Sequence, residues 1–370
     1  MLIVKLICII SNMQIHLQCM DIVLLIGSIL LIISVLITLI HNDYWLFKVL
    51  EYPRLQKLFL ILLVLIGWFF YWPLSFHQQI VFGGLCAASI YLLYKISPYT
   101  ILTSKEMLRA KEHNPENSLK IFAANVYQPN DQYGKLLQQI NETDPDLVFL
   151  LETDEKWARG VHVLEQKYPY TLKKALDNTY GLLFFSRLPI ESGKVVYLVK
   201  NDIPSIDAII SLPSGQKVQL WGLHPEPPVP GESLYATAKD KELMKVALKA
   251  RSCKLPHIVF GDLNDVAWSH TTELFRKTSE LLDPRRGRGF YSTFSARSWF
   301  IRFPLDYIFC SKEFFLVEMK RLPKNGSDHF STFVHLLYKK NTKGQTEPHA
   351  SKSELKDAKR IAQKPIKNES

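Results

Sequence analysis

Four polar residues that could bind a metal ion or activate water lie near the ends of predicted strands. Asn125 stands near the end of the apolar run 119–126, Glu152 follows a second such run, and Asp262 and Asn264 stand in the sequence Gly-Asp-Leu-Asn. Carboxylate and amide oxygens are the ligands that a hard cation such as Mg²⁺ takes, together with water and substrate phosphate. These positions therefore predict a metal-dependent reaction at a phosphate group.

Two histidines and two further aspartates lie close to other predicted strands. His329 ends the sequence Ser-Asp-His before a strand, with Asp328 beside it, and Asp306 lies inside an apolar run. His224 closes another strand, immediately before a proline. A histidine next to an aspartate supplies an oriented base for water, and a further histidine can hold phosphoryl oxygens or the leaving group. Together the residues predict metal-assisted hydrolysis of a phosphoester.

Each of these signals also has an ordinary structural explanation. A glutamate after a strand can be solvated or can cap a helix, Gly-Asp-Leu-Asn suits a turn, and Ser-Asp-His can cap one. His224 can be a surface histidine. Asp306 is harder to explain in this way, because a buried and unpaired carboxylate is costly. The combination, rather than any single residue, favours an active site.

Other reaction classes lack their motifs in this sequence. There is no Gly-x-x-x-x-Gly-Lys-Ser/Thr phosphate loop, no His-Glu-x-x-His zinc helix and no Cys-x-x-Cys pair, and Ser186 lacks the flanking glycines of a nucleophile elbow. Arg285 and Arg288 lie near Phe290 and Tyr291 in a basic and aromatic segment. Such a segment suits a nucleic acid or an anionic lipid head group, or it is a solvated loop beside the active site. We predict that these two arginines bind substrate.

The order of elements between residues 118 and 338 predicts an α/β (α+β) domain. Apolar runs typical of strands alternate with fewer helical segments, the longest of which covers 232–250. Nearly a dozen strands with a few helices favour two packed sheets flanked by helices. A linker at 98–117 precedes this domain.

The N-terminal third predicts a transmembrane region at 22–97, after an N-terminal segment at 1–21. Three uncharged stretches are predicted to span a membrane, at about 22–40, 58–76 and 80–96. Lys and Arg occur in the first loop and after the third span, whereas the connection between the second and third spans has none. With three spans, the positive-inside rule places the following domain in the cytoplasm. Two or four spans would reverse the side.

Charge is distributed unevenly along the 370 residues. The net charge is +10, but the segment 339–370 alone holds nine basic residues against four acidic ones. The predicted domain is nearly neutral, so the sequence does not indicate a broad basic surface for nucleic acid. We predict that 339–370 is a basic disordered tail. The five cysteines are too few and too scattered for a disulfide-rich scaffold.

In their order along the chain, the candidate residues resemble the endonuclease/exonuclease/phosphatase superfamily, which includes DNase I and the sphingomyelinases. The resemblance covers residues 119–338 and rests on Gly-Asp-Leu-Asn, Pro-Leu-Asp-Tyr and Ser-Asp-His, with an asparagine, a glutamate and a histidine before them. It implies a four-layer α/β sandwich that hydrolyses phosphoesters with Mg²⁺, or with Mn²⁺ in its place. By this resemblance Glu152 would be the principal metal ligand, Asn125 would lie beside it, and Asp328 would bind the metal or orient the neighbouring histidine.

The resemblance implies catalytic roles for five further positions. Asp262 and Asn264 would position or activate the attacking water. Asp306 would pair with His329, and His224 would contact phosphate near the leaving group. Either His329 or Asp262 could be the base.

A narrower resemblance reaches into the membrane part. Residues 44–56, 224–233 and 239–243 are similar to a bacterial membrane-anchored branch that includes teicoplanin-resistance proteins, which are proposed to dephosphorylate undecaprenyl diphosphate. That reaction is expected outside the cytoplasm, whereas the loop charges favour the inside. We predict a membrane-anchored hydrolase of a lipid-linked phosphate, with a membrane-bound DNA or RNA nuclease and an inactive membrane scaffold as alternatives. The expected partners are the bilayer and a phosphorylated lipid or nucleic-acid substrate, without an obligate protein partner.

Overall fold

The computed structural model describes residues 20–366 of the chain. Within this range the chain divides into two units, one formed by residues 20–42 and 46–97 and the other by 43–45 and 98–366. Most of the predicted N-terminal segment 1–21, and the last four residues of the predicted tail, lie outside the described residues.

The first unit is helical. Its helices are α1 (Met20–Leu39), α2 (Trp45–Val49), α3 (Arg54–Phe69) and α4 (Phe76–Ile96). The first residue of the short helix α2, Trp45, is assigned to the second unit. Among the described residues, two helical stretches are long and apolar enough to cross a membrane: α1, with a mean hydropathy of 3.1, and Phe76–Tyr99, with 1.6. The predicted spans 22–40 and 80–96 correspond to these two stretches.

The predicted span 58–76 differs from the structure. Helix α3 has 16 residues and ends at Phe69, and the chain then turns before Ser75 caps α4 with a capping box formed with Gln78. At about 1.5 Å per residue, 16 residues cover roughly 24 Å, which is less than a hydrocarbon core of about 30 Å. The hydropathy of the sequence does not reveal the end of α3, because the turn residues that follow are themselves aromatic and apolar.

The second unit contains two sheets. Its strands are β1 (Ser118–Asn125), β2 (Leu147–Leu151), β3 (Tyr170–Lys174), β4 (Leu182–Ser186), β5 (Ile190–Val196), β6 (Ser205–Ser211), β7 (Lys217–Leu223), β8 (His257–Asp262), β9 (Asp306–Cys310), β10 (Phe314–Arg321) and β11 (Thr332–Tyr338). One sheet has the order β10-β11-β1-β2-β4-β3 and the other β5-β6-β7-β8-β9. Its helices are α5 (Tyr133–Thr143), α6 (Glu155–Gly160), α7 (Thr237–Ser252), α8 (His270–Ser279) and α9 (Lys352–Gln363).

The two sheets pack face to face and are flanked by helices. Ile121 and Phe149 of the first sheet share a buried cluster with Phe260 of the second. The alternate residues Phe122 and Val148 point the other way, into a cluster with side chains of α5 and α6. Because successive strand residues face opposite sides, each strand of the first sheet serves both layers. The arrangement is an α/β sandwich, as predicted.

Parallel strand pairs bring the candidate residues to one edge of the sandwich. Strands β1 and β2 are parallel, and so are β7 and β8, so the residues that follow these strands lie at a common end within each sheet. Strand β9 runs antiparallel to β8 and pairs Asp306 directly with Asp262. The chain also enters β11, the neighbour of β1, from this edge.

The predicted disorder of 339–370 is wrong over α9. Ser351 and Glu354 form a capping box at the start of this helix, and Lys277 on α8 lies 2.8 Å from Glu354. Ala358 and Ala362, one turn apart, are both buried. Two alanines make an apolar stripe too narrow to stand out in a lysine-rich sequence, yet small enough for close helix packing. The linker 98–117 is also packed, since Tyr99 and Met107 are buried.

Candidate active site

Three buried side chains form a series of contacts where β8, β9 and the residues before β11 meet. His329 Nδ1 is 2.9 Å from Asp306 Oδ2, and His329 Nε2 is 3.5 Å from Asp262 Oδ2. All three side chains are buried. The imidazole is therefore oriented by one carboxylate and directed at the other. The structure brings together Asp306 and His329, which sequence reasoning paired, and adds Asp262 to the same line.

Opposite charges control the protonation of this cluster. Burial by itself would lower the pKa of His329, but Asp306 and Asp262 outweigh it and raise that pKa well above the ordinary value. Burial raises the pKa of Asp262, and the attraction of His329 opposes this. The flanking carboxylates therefore favour the protonated imidazole of His329.

Glu152 and Asn125 form a second cluster beside the first. Asn125 Nδ2 donates to Glu152 Oε1 at 2.7 Å and to Asp262 Oδ2 at 3.2 Å. Burial raises the pKa of Glu152, and the hydrogen bond from Asn125 only partly offsets this. Glu152 also has a φ of 59°, in the left-handed region that strains a residue with a side chain. A strained and incompletely compensated carboxylate is expected where a cation binds.

Asp328 points to the same conclusion. Its Oδ1 is buried and has no hydrogen-bond partner among the described residues. Its backbone is held on both sides, because Ser327 Oγ donates to Asn125 O at 2.8 Å and accepts from His329 N at 2.9 Å. Carboxylate and amide oxygens with an orphaned acceptor fit a divalent cation. Glu152, Asn125 and Asp328 are the residues that would hold it.

Asp262, Asp306 and His329 form a second potential donor set. One ligand atom from each lies within 4.8 Å of the others. Both imidazole nitrogens, however, already face carboxylates, and a cation among them would have to displace the imidazole from these contacts. We therefore favour Glu152 and its neighbours as the metal ligands, and the Asp–His–Asp series as the proton-transfer group.

Asn264 and His224 line the other side of the cluster. Asn264 N donates to Asp262 Oδ1 at 2.9 Å, and Asn264 Nδ2 donates to Pro225 O at 2.9 Å, which ties the two strand ends together. Burial, and then the positive charge of His329, lower the pKa of His224 to about 3, so this imidazole is neutral at pH 7. Its Nδ1 has no hydrogen-bond partner in the part of the chain that the structure describes. A neutral imidazole with an unused nitrogen can bond a phosphoryl or leaving-group oxygen.

The structure does not bring Arg285 and Arg288 to the site, which corrects the prediction that they bind substrate. Arg285 is 1% exposed, forms an ion pair with Asp283 at 2.8 Å and lies 3.9 Å over the ring of Tyr307. Its Nη1 donates to the backbone oxygen of Asp306, so it supports the strand that carries that aspartate. Arg288 donates to the backbone oxygens of Pro284 and Met107.

Sequence reasoning missed two residues near the site. Tyr180 lies against His224, with ring centroids 5.4 Å apart, and its hydroxyl donates to Glu232. Arg297 is exposed and covers the ring of Tyr127 at 4.4 Å. The signal for Arg297 was its place in the same basic and aromatic segment as Arg285 and Arg288, which lie 12 and 9 residues before it.

Three solved structures with this fold match the chain about equally well. Human Nocturnin (catalytic domain with bound sulfate anion) is 18% identical, with a TM-score of 0.50, covering 65% of this chain and 99% of that one. TDP2 from D. rerio, complexed with a single-strand DNA product, is 17% identical, with a TM-score of 0.50 and coverage of 59% and 98%. An endonuclease/exonuclease/phosphatase family protein from Bacteroides thetaiotaomicron is 17% identical, with a TM-score of 0.50 and coverage of 61% and 100%.

Sequence comparison gives a family but no individual relative. No curated protein matches the chain. The family model described as Endonuclease/Exonuclease/phosphatase family matches residues 122–329, which is more than half of the chain and includes Asn125 at one end and His329 at the other. The chain belongs to the endonuclease/exonuclease/phosphatase family.

Proposed function

We propose that the chain is a membrane-anchored, Mg²⁺-dependent phosphohydrolase whose substrate is a lipid-linked phosphate such as undecaprenyl diphosphate. Members of its family are metal-dependent hydrolases of phosphoester bonds. The observation that supports an active hydrolase best is the buried series Asp306–His329–Asp262, with the Asn125–Glu152 pair beside it. No position of this set is lost, which argues against an inactive scaffold.

The geometry suggests how the residues divide the reaction. Asp306 holds the imidazole of His329 by its Nδ1 and directs Nε2 at Asp262, whose carboxylate can accept a proton from the attacking water. The water oxygen then forms the new bond to phosphorus while the bond to the leaving oxygen breaks. His224 and Asn264 would bond the phosphoryl or leaving oxygens. A divalent cation held by Glu152, Asn125 and Asp328 would supply Lewis-acid stabilisation of the developing charge.

The N-terminal helices support a substrate in the bilayer. Many apolar side chains of α1, among them Val23 and Leu30, are exposed in the structure, as expected of a surface that faces lipid. A tether of this kind benefits an enzyme most when its substrate shares the membrane, because the effective concentration rises. We propose a bacterial inner membrane. The loop charges place the catalytic unit on the cytoplasmic side only if three segments span, and with the two long apolar stretches of the structure they place it on the opposite side.

A membrane-bound nuclease is the alternative function. It draws support from the exposed Arg297 and the neighbouring aromatic residues, which could stack on bases. The D. rerio TDP2 structure of the same fold holds a single-strand DNA product. We rank it second, because a membrane tether gives no advantage toward free nucleic acid.

The test is phosphate release from undecaprenyl diphosphate by the detergent-solubilised full chain with Mg²⁺, with plasmid nicking measured in parallel. We expect release by the wild type and its loss in His329→Ala. His335→Ala is the matched control, because His335 lies within β11, outside the site, and is hydrogen-bonded to Ser118. Nicking without phosphate release would replace the proposal by the nuclease. Equal rates in wild type and His329→Ala would contradict the site assignment.

A further inference from the structure

The loop that precedes β9 exposes an apolar tip. Trp299 is 84% exposed, Phe300 41% and Ile301 54%. These three residues are consecutive in the sequence. Large apolar side chains that protrude singly are common, whereas three adjacent ones in a single loop indicate a contact with a membrane or another molecule. We call residues 295–302 the tip loop.

Hydrogen bonds hold the tip loop in a defined conformation. Ser298 Oγ accepts from Phe300 N at 3.2 Å and from Ile301 N at 2.9 Å, and Arg302 Nε donates to Ser298 O at 2.7 Å. Ser295 N donates to Ile301 O at 3.3 Å across the loop. The apolar side chains are therefore presented outward by a built turn.

The base of the tip loop is joined to the catalytic cluster. Phe294, just before the loop, pairs as an isolated bridge with both Phe303 and His329, and its ring lies 5.0 Å from that of His329. Ala296 N donates to Asp328 O at 2.6 Å. Any surface that the tip loop contacts is thus brought next to His329 and Asp328.

Charge and residue type identify the partner. Arg297 and Arg302 flank the tip, one exposed over Tyr127 and the other over the ring of Phe330. Arginines beside a tryptophan match the boundary of a bilayer with anionic lipid, where the indole lies at head-group level and guanidinium groups meet phosphates. Ile301 has no face on which a base could stack, so the tip suits acyl chains better than a nucleic acid.

We infer that the tip loop inserts Trp299, Phe300 and Ile301 into the interface of an anionic bilayer and thereby presents the lipid's phosphate to the site at His329. Only the hydrolysis of the lipid phosphate rests on the proposed function. The insertion of the tip loop into the membrane does not depend on it. Insertion would place a substrate head group beside Asp328 without extracting its acyl chains from the membrane.

The first experiment measures insertion without activity. The full chain is reconstituted in vesicles of phosphatidylcholine and phosphatidylglycerol in which the phosphatidylcholine carries brominated acyl chains. The difference in fluorescence between wild type and Trp299→Phe isolates the emission of Trp299 from that of the other tryptophans. We expect the brominated chains to quench this difference. Emission from Trp299 that is the same in brominated and ordinary vesicles would overturn the inference.

The second experiment measures the consequence for catalysis. For Trp299→Ser/Ile301→Ser we expect a roughly tenfold loss of kcat/KM on undecaprenyl diphosphate in the vesicles, and no change on a short, water-soluble isoprenyl diphosphate. Val163→Ser is the matched control, because Val163 is 52% exposed but lies on another segment of the catalytic unit. An equal loss on both substrates, or a loss of single-strand DNA cleavage instead, would overturn the inference. If wild type hydrolyses neither lipid, the proposed function fails while the quenching result still decides the insertion.

Discussion

Asn125 and Asp262 are hydrogen-bonded across the two sheets. Asn125 ends β1 in the six-stranded sheet, Asp262 ends β8 in the five-stranded sheet, and the amide nitrogen lies 3.2 Å from the carboxylate oxygen. The same nitrogen also donates to Glu152. The side chain of Asn125 therefore links the proposed metal ligand Glu152 to the proposed proton acceptor Asp262. It also joins the two sheets by a hydrogen bond at the site.

Replacing Asn125 by Ala should reduce both stability and activity. Both lost hydrogen bonds end on buried carboxylates, and bonds to charged groups contribute about 1.5–3 kcal/mol each. We expect the free energy of unfolding to fall by roughly 2–3 kcal/mol and kcat to fall by about a hundredfold, as when an oxyanion-site donor is removed. Gln219→Ala is the control, because Gln219 is also buried and donates to a carboxylate, that of Asp207 at 2.8 Å, but lies in the first half of β7, away from the site. Equal kcat values in the two variants would contradict the coupling.

Mg²⁺ should stabilise the wild type and not Glu152→Gln. A ligand that binds only the folded state adds about 2.7 kcal/mol at a hundred times its Kd. We expect EDTA to lower the Tm of the wild type and Mg²⁺ to restore it. Without metal, Glu152→Gln should be at least as stable as the wild type, because burial disfavours the Glu152 carboxylate. Glu165→Gln, at an exposed glutamate paired with Lys173, should retain the full response to Mg²⁺. If Mg²⁺ raised the Tm of Glu152→Gln as much as that of the wild type, residues other than Glu152 would bind the metal.

Glu242 should make the catalytic unit less stable as the pH rises. Burial raises the pKa of this glutamate to about 7, and the hydrogen bond from Ser205 opposes the shift only in part. Below pH 4.5, the ordinary value, both states are protonated. Between that pH and about 7 the unfolded state releases its proton first, so folding stability is lost as the pH rises through the folded-state pKa.

The full loss from Glu242 would be about 3 kcal/mol at pH 8. Glu242→Gln should remove this part of the pH dependence, so that the variant is more stable than the wild type at pH 8 and close to it at pH 4.5. Chemical denaturation of the detergent-solubilised chain at several pH values measures the difference. A constant offset between the two proteins across this range would disprove the titration.

Arg285 should matter for folding rather than for substrate affinity. Its removal leaves Asp283 buried without its partner, and breaking a buried pair from one side costs about 3–5 kcal/mol. We expect Arg285→Met to lower the Tm strongly while leaving KM unchanged at temperatures where the variant is folded. In Arg285→Met/Asp283→Leu much of the stability should return, because no unpaired charge remains. A raised KM with an unchanged Tm would restore Arg285 as a substrate-binding residue.

The sequence alone indicated eight of the candidate site residues and the kind of element beside which each lies: Asn125, Glu152, His224, Asp262, Asn264, Asp306, Asp328 and His329. Apolar runs that end in Asn125, Glu152, Asp262 and His224 specify buried strands, because only such strands place polar groups at their ends in this pattern. A buried carboxylate at Asp306 had to have a partner, and the structure supplies His329. Local pattern also identified α1, because a helix of 20 residues with a mean hydropathy of 3.1 is long and apolar enough to cross a membrane.

Only the tertiary structure decided how those residues are used. The sequence showed Arg285 as a basic residue in an aromatic segment; its burial depends on Tyr307, a β9 residue whose ring it covers. The position of α9 likewise depends on α8, because Ala358 and Ala362 are too few to specify a helix without a surface to pack on. The contact of Asn125 with Asp262 joins residues 137 positions apart. Such contacts form only when both sheets pack, because local propensity specifies each strand and not the register between sheets.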